Sequence, residues 1–361
     1  MGVRAVARRL IVAVAAVVVV AACANEQASA PTSPIASSSA PSRSEGVPDL
    51  GVPEVVAQGI EVPWGLAFLS DGAALVAERD SGRILRVVPG RTPELFSEVP
   101  GVVARGEGGL LGLAVRDDYV YAYFTAADDN RIVRFRPGGQ VEVVFSGIAK
   151  AGNHNGGRIA FGPDGMLYVG TGDAGQSSLS QDPGSPNGKI LRLTAEGAPA
   201  PGNPTPGSPV LSMGHRNVQG LAWDRTGTLY AAEFGQNRLD EINRIEPGRN
   251  YGWPDVEGGG GADRGFTDPL LTWSTDEASP SGMAIAGDIL YVAALRGERL
   301  WTATLSGAAL TAPRDYLRDA YGRLRTVAVA PDGALWLTTS NTDGRGDLRD
   351  GDDRILRFPA R

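Results

Sequence analysis

Residues 65–87 read GLAFLSDGAALVAERDSGRILRV. An apolar strand is followed by a turn, a second strand of alternating apolar residues, a polar loop and a strand shaped like Arg-Ile-Leu-Arg. The same order returns at residues 112–135 (GLAVRDDYVYAYFTAADDNRIVRF) and at 158–175 (RIAFGPDGMLYVGTGDAG, closed later by KILRL). It returns again at 220–245 (GLAWDRTGTLYAAEFGQNRLDEINRI), 282–305 (GMAIAGDILYVAALRGERLWTATL) and 325–344 (RTVAVAPDGALWLTTSNTDG, closed by RILRF). The copies start roughly 45 to 60 residues apart, a period that suits one four-stranded sheet per copy. Abundant glycine and little helical periodicity point the same way. The prediction is an all-β fold, a six-bladed β-propeller of four-stranded antiparallel blades, with small-molecule chemistry at a mouth of its central channel. Such rings are often latched by pairing a terminal strand with the other end of the chain. Arg354 to Phe358 and the Val52 to Ile60 segment are the expected partners, which removes a free edge.

The first residues stand apart from the repeats. Arg4, Arg8 and Arg9 precede an unbroken apolar run from Leu10 to Val20, too short for a comfortable membrane span and suited to a secretory signal. Val20-Ala21-Ala22-Cys23 has the form of a bacterial lipobox, and Cys23 is the single cysteine of the chain. The expectation is a signal over 1–22, lipidation of Cys23, and an Ala/Ser/Pro-rich tether over 23–50 that cannot bury enough surface to order itself. The propeller then spans 51–361, exported, held to the membrane by its lipid anchor alone and facing outside the cytoplasm. The competing reading is a cleaved secretory peptide with an incidental cysteine. The formal charge of the whole chain is −7, and it becomes more negative once the three arginines of the signal are removed. An acidic chain without a basic stretch argues against a nucleic-acid partner.

After the single cysteine, histidine is the scarcest chemically useful residue, with two copies. His154 lies just before the third repeat and His215 just before the fourth, on equivalent loops that a ring would bring to one face. Neither has the spacing of a zinc site. Asp173 falls at the end of the strand after His154, so the pair would occupy neighbouring strand ends of one blade. A carboxylate beside an imidazole fixes its tautomer and raises its basicity, as a general base requires. The competing reading is an Asp that caps a turn. Glu107 occupies the matching loop before the second repeat. Arg216, Arg296, Arg323 and Arg325 all lie at repeat junctions, and the alternation of Arg323-Leu324-Arg325 lets both guanidinium groups point one way. Several arginines at a channel mouth imply an anionic ligand; surface ion pairs are the alternative.

Six stretches together are more specific than any one of them: GEGGLLGLA from Gly106, GNHNGGR from Gly152, GTGDAG from Gly170, GHRNVQGLAW from Gly214, DEIN followed by GRNYGWP between Asp240 and Pro254, and YGRLRTVAVAPDG from Tyr321. With them the chain resembles the soluble glucose and aldose sugar dehydrogenases that use pyrroloquinoline quinone (PQQ). The resemblance covers nearly everything after the tether. It implies that His154 is the base for the anomeric hydroxyl of a small sugar and Asp173 its carboxylate partner. Arg216, Asn217, Arg323 and Arg325 match cofactor contacts. Glu107 stands where the glucose enzyme has a glutamine, and Arg296 where it has a lysine. Gly235 and Gln236 stand where two backbone carbonyls hold calcium against the quinone, and Glu241 and Tyr251 match a second, structural calcium site. His215 is assigned no chemistry.

The long insertions that wall the glucose enzyme's substrate site are missing. Between Pro254 and Ser281 only a short Gly-rich, acidic loop with Trp273 remains, which implies a small, open pocket and broad or different sugars. The electron acceptor has no sequence signature. The acidic loop from Asn341 to Asp353 reads as solvated turns, with a further calcium site as the alternative. Two other functions compete: a cofactor-free propeller acting as a binding or scaffolding module, and a calcium-dependent propeller hydrolase or lactonase. The latter needs a central metal held by carboxylates and asparagines from several blades.

Overall fold

The computed structural model describes Gly2 and residues 47–360. Apart from Gly2, the expected signal, Cys23 and nearly all of the tether lie outside the described residues. Twenty-four strands form six four-stranded antiparallel sheets, and each sequence copy becomes one blade. The first strand of each blade faces the channel: Pro63–Phe68, Leu110–Arg116, Ile159–Phe161, Val218–Trp223, Pro280–Ala286 and Leu324–Val329. In five blades the four strands follow in chain order. The sixth takes Leu324–Val329, Leu335–Thr339 and Arg354–Phe358 from the C-terminal end and its outer strand, Glu54–Gln58, from the N-terminal end. Glu54 opposes Arg357 and Gln58 opposes Arg354, so the expected latch is present. Pro48, within the segment read as tether, bridges to Ala360.

Period-2 alternation makes the ring. In a strand, successive side chains face opposite sides, so each blade offers one apolar face to each neighbour. Ala74 and Val76 pack toward the sixth blade with Trp336 and Ile355, while Leu75 and Ala77 pack toward the second with Leu110 and Phe135. The same arrangement repeats between every neighbouring pair, giving six apolar clusters rather than one central core.

The glycine that opens four of the copies sits where inner strands converge. A Cβ on Gly112 would lie 2.2 Å from the carbonyl oxygen of Gly157, on the next blade. Backbone cannot yield as a side-chain tip can. Gly112→Ala should therefore cost about 1–3 kcal/mol as an overpacked contact and lower Tm by several degrees, read by calorimetry.

A candidate active site at one mouth of the channel

Every inner strand starts at the same face of the ring. The loops entering these strands, and the loops leaving the second strands, therefore gather at one mouth. A cavity of about 380 Å³ lies there, lined by Arg79, Arg216, Arg296, Arg323, Arg325 and Arg345, together with Glu107 and His154. A second cleft of about 570 Å³ adjoins it and shares His154 and Arg216. Asn153, Gln236, Trp253, Asp255 and Glu257 give this cleft a polar and aromatic lining.

His154 stands at the junction of the two. Its backbone is left-handed, with φ of 54°. The conformation is held from both sides: its N–H donates to Glu107 Oε2 at 2.9 Å, and its carbonyl accepts from Ala174. The imidazole Nδ1 lies 2.7 Å from Asp173 Oδ1. Asp173 is buried, and its carboxylate also accepts from Trp253 Nε1 at 2.8 Å and from Gly175 N–H at 2.8 Å. Burial pushes this carboxyl pKa up, but the His154 contact and the Trp253 and Gly175 donors outweigh it and hold it below the usual value. An ionised Asp173 accepts a hydrogen bond from Nδ1–H and so keeps the proton there, leaving the Nε2 lone pair free. The exposed Asn153 amide, 3.3 Å away, is the neighbour of that atom.

The arginines are held by a carboxylate that the repeat pattern hides. Arg323 and Arg325 do point the same way, and both reach Asp343 Oδ2, at 3.0 and 3.3 Å. Asp343 belongs to the acidic loop read as solvated turns, yet its side chain is 1% exposed. Asp353, in the same loop, is also buried and bonds Thr339, Asn341 and Thr342. These carboxylates serve internal partners because the loop folds back over the inner strands. Burial brings the Arg325 pKa down to about 9, with the Asp343 charge opposing the shift.

Five consecutive backbone N–H groups shape the loop beside these arginines. Gly235 N–H donates to Asp240 Oδ1 at 2.9 Å. Gln236, Asn237, Arg238 and Leu239 all donate to one oxygen of Glu257, at 2.7, 3.0, 2.9 and 3.2 Å. In a trans peptide the preceding carbonyl points opposite to the N–H. The carbonyls of Gly235 and Gln236 are thus turned away from Glu257. A Cβ on Gly235 would collide with the Leu239 carbonyl at 1.8 Å, so the turn requires glycine.

The family described as Glucose / Sorbosone dehydrogenase matches residues 60–355, nearly the whole ring. The chain belongs to the glucose/sorbosone dehydrogenase family. It is 55% identical to the PQQ-bound aldose sugar dehydrogenase of Streptomyces coelicolor, with a TM-score of 0.83 over 87% of this chain and 100% of that one. A Thermus thermophilus protein described as an oxidoreductase of the glucose dehydrogenase type is 49% identical, with a TM-score of 0.79 over 85% of this chain and 99% of that one. The aldose sugar dehydrogenase of Escherichia coli is 29% identical over 81% of this chain and 90% of its own length. As a glucose/sorbosone dehydrogenase, this protein is an oxidoreductase.

Within this glucose/sorbosone dehydrogenase, the site residues expected from sequence do not all meet. His154, Glu107, Arg216, Arg323, Arg325 and Gly235 share the arginine-rich cavity, and Gln236 faces the adjoining cleft. Arg296 lies at the cavity rim, 62% exposed and paired with Asp276. Asn217 is fully buried behind the wall, where its Oδ1 accepts from Gly156 N–H and its Nδ2 has no partner. Both Glu107 oxygens are engaged, one by His154 N–H and the other by Arg345. Glu241 and Tyr251 lie in a separate buried network: Asn243 joins Glu241 to Glu233, Glu233 bonds His215, and His215 stacks on Tyr251. Burial and the nearby Glu233 charge raise the Glu241 pKa above the usual carboxylate range. His215 is completely buried and also meets Ser212, so it lines neither cavity. Residues not singled out from the sequence include Trp253, Asp343, Glu257, Arg79 and Arg345. The sequence signals were GWP after the DEIN motif and the aspartates of the last loop; neither names its partner.

Proposed function

We propose that this protein oxidises the anomeric hydroxyl of an aldose to the lactone, using PQQ and calcium. The observation that carries the reading is His154, backed by buried Asp173, at the junction of an arginine-rich cavity and a polar cleft.

The residues fit the cofactor. A tricarboxylate suits a cavity with six arginines, because guanidinium groups bind carboxylates through paired N–H donors. Buried donors without partners remain on two of its arginines, Arg216 Nε and Arg325 Nε. Calcium takes hard oxygen ligands, and the carboxylate-anchored loop turns the Gly235 and Gln236 carbonyls outward for it. The crowded, like-charged pair Glu233 and Glu241 suits a second cation. Arg216, Arg323 and Arg325 would hold the quinone, with rim Arg296 contributing; Asn217, expected from sequence to share this role, instead braces the wall through Gly156.

When bound, the calcium-polarised quinone supplies the acceptor for the hydride leaving the sugar. His154 Nε2 takes the hydroxyl proton, and Asp173 stabilises the imidazolium that results. Trp253 fixes the far oxygen of Asp173, which keeps the imidazole plane in place. The cleft beside His154 offers an indole and several hydroxyl-bonding groups to a sugar. It lacks the long insertions of the glucose enzyme, so broad aldose tolerance is expected.

The test is purification of residues 24–361, addition of PQQ and calcium, and dye reduction across an aldose panel. A chain that binds the quinone yet oxidises no aldose would overturn the reading. Selectivity for a single monosaccharide would overturn the breadth. Glu257→Ala should release the loop. Calcium-induced thermal stabilisation of the quinone-free protein should then shrink or vanish, while Glu257→Gln retains part of it. Export and anchoring through Cys23 belong to the same proposal, supported by the apolar run before Val20-Ala21-Ala22-Cys23. Cys23→Ala should move the protein from the membrane fraction to the soluble exported fraction.

The hydrolase alternative meets a physical obstacle. Its metal would sit on the channel axis, where two guanidinium groups, Arg158 and Arg325, flank Trp64 at 4.3 and 5.8 Å from its ring centre. Cations at that position repel a metal ion.

A further inference from the structure

The channel is divided in two. Trp64, Arg158, Gln219, Ser281, Arg325 and Thr326, from five different blades, meet across it. Arg158 Nε donates to the Gln219 carbonyl at 2.7 Å and Nη2 to Thr326 Oγ1 at 3.0 Å. Gln219 Oε1 accepts from Ser281 at 2.9 Å and from Arg325 at 3.1 Å. Thr326 Oγ1 donates to the Trp64 carbonyl. This belt separates the mouth described above from a cavity of about 290 Å³ at the opposite end, formed by the far ends of all six inner strands.

Charge is unevenly shared across the belt. Arg158, Arg323 and Arg325 are 8%, 8% and 5% exposed. Among the described residues one buried carboxylate, Asp343, pairs with any of them, and it serves Arg323 and Arg325. Arg158 has no carboxylate partner among the described residues. Its Nη1 is committed to none of the bonds above, and Arg158 lines the far cavity rather than the arginine-rich one. Burial brings its pKa down to about 9, with the Arg325 charge acting in the same direction. A buried cation without a counter-charge is costly, and a mobile anion removes the cost. The inner strands also expose one backbone edge to the channel, which offers N–H donors to such an anion.

We propose that the far cavity is a binding site for a small monovalent anion, a halide or a short carboxylate, held by the Arg158 guanidinium. The belt lies between it and the quinone site, and of the two cavities Arg158 lines the far one alone. The anion supplies the counter-charge that the chain omits and stabilises the joint of five blades.

Ala160 supplies the control. It lies two residues beyond Arg158, on the same side of the strand, and lines the same cavity. Ala160→Glu would provide Arg158 with an internal carboxylate while leaving every belt residue and the arginine-rich mouth unsubstituted. The probes are sodium bromide and sodium formate on the full exported domain, with and without PQQ. The parent should gain thermal stability with at least one of them, and the two arms separate halide from carboxylate. In Ala160→Glu the affinity should fall roughly tenfold or more, the equivalent of ~1.4 kcal/mol. Should that variant fail to fold, anomalous diffraction from parent crystals in bromide decides: a bromide peak within hydrogen-bond reach of Arg158 supports the site. Water alone at Arg158 in crystals grown with either anion, or an anion response unchanged by Ala160→Glu, would overturn it.

Discussion

Replacing His154 by alanine lowers kcat by about 10²–10⁴-fold while leaving the affinity for quinone nearly unchanged. The two effects separate because the imidazole and the cofactor-holding groups come from different loops. His154 enters from the third blade, whereas Arg323 and Arg325 stand on the sixth and are held by Asp343. Losing the ring removes the proton acceptor and leaves the arginine cluster intact. Asp173→Asn should fall between parent and His154→Ala, because an amide can still meet Nδ1 but cannot stabilise an imidazolium by charge. Stopped-flow reduction of the loaded enzyme by sugar, beside quinone binding by absorbance, measures both quantities. Dye reduction by His154→Ala at the parental rate would remove the base assignment altogether.

Asp343→Asn destabilises the quinone-free protein by about 3–5 kcal/mol, because it leaves two buried guanidinium groups without their shared carboxylate. In Tm this is a fall on the order of 10 °C. Added quinone should narrow the gap, since its carboxylates would take over part of the charge compensation. The difference also carries a pH signature. Burial raises the Asp343 pKa, but Arg323 and Arg325 lower it further, to a net value below the ordinary 3.8. The stabilisation is thus fully present above that ordinary value and fades as pH falls toward the lowered one. Parent and variant should differ in Tm at neutral pH and converge in acid. Equal Tm values at pH 7 would show that Asp343 is not the counter-charge of the cluster.

The ring was legible in the sequence because two signals coincided. Alternating apolar residues such as Leu75 and Ala77 against Ala74 and Val76 give a period of two. The Gly-Leu-Ala openings mark where inner strands touch, and the clash a Cβ would make at Gly112 explains that glycine. The His154–Asp173 pair was legible because nineteen residues of hairpin place both at adjacent strand ends. Trp253 was not, since its bond to Asp173 spans eighty residues and two blades. Asp343 misled for a related reason. Asp-Gly in a polar loop resembles a solvated turn, and only the tertiary fold shows two arginines waiting beneath it. Asn217 shows the reverse case: a motif residue next to Arg216 that the fold turns inward, away from both cavities. The belt at Arg158 leaves no local mark, because each of its members is a single residue in an otherwise ordinary strand.

The sheet that joins Glu54–Gln58 to Arg354–Phe358 has a consequence for biosynthesis. Among the described strands, Glu54–Gln58 is translated first and its neighbour Arg354–Phe358 last, so this pairing waits for all the blades between them. Until Arg354–Phe358 has emerged, the nascent ring is an open arc with an apolar blade face exposed at each end. Premature stop codons anywhere before Arg354 should therefore yield substrates for chaperones and proteases rather than shortened, working wheels.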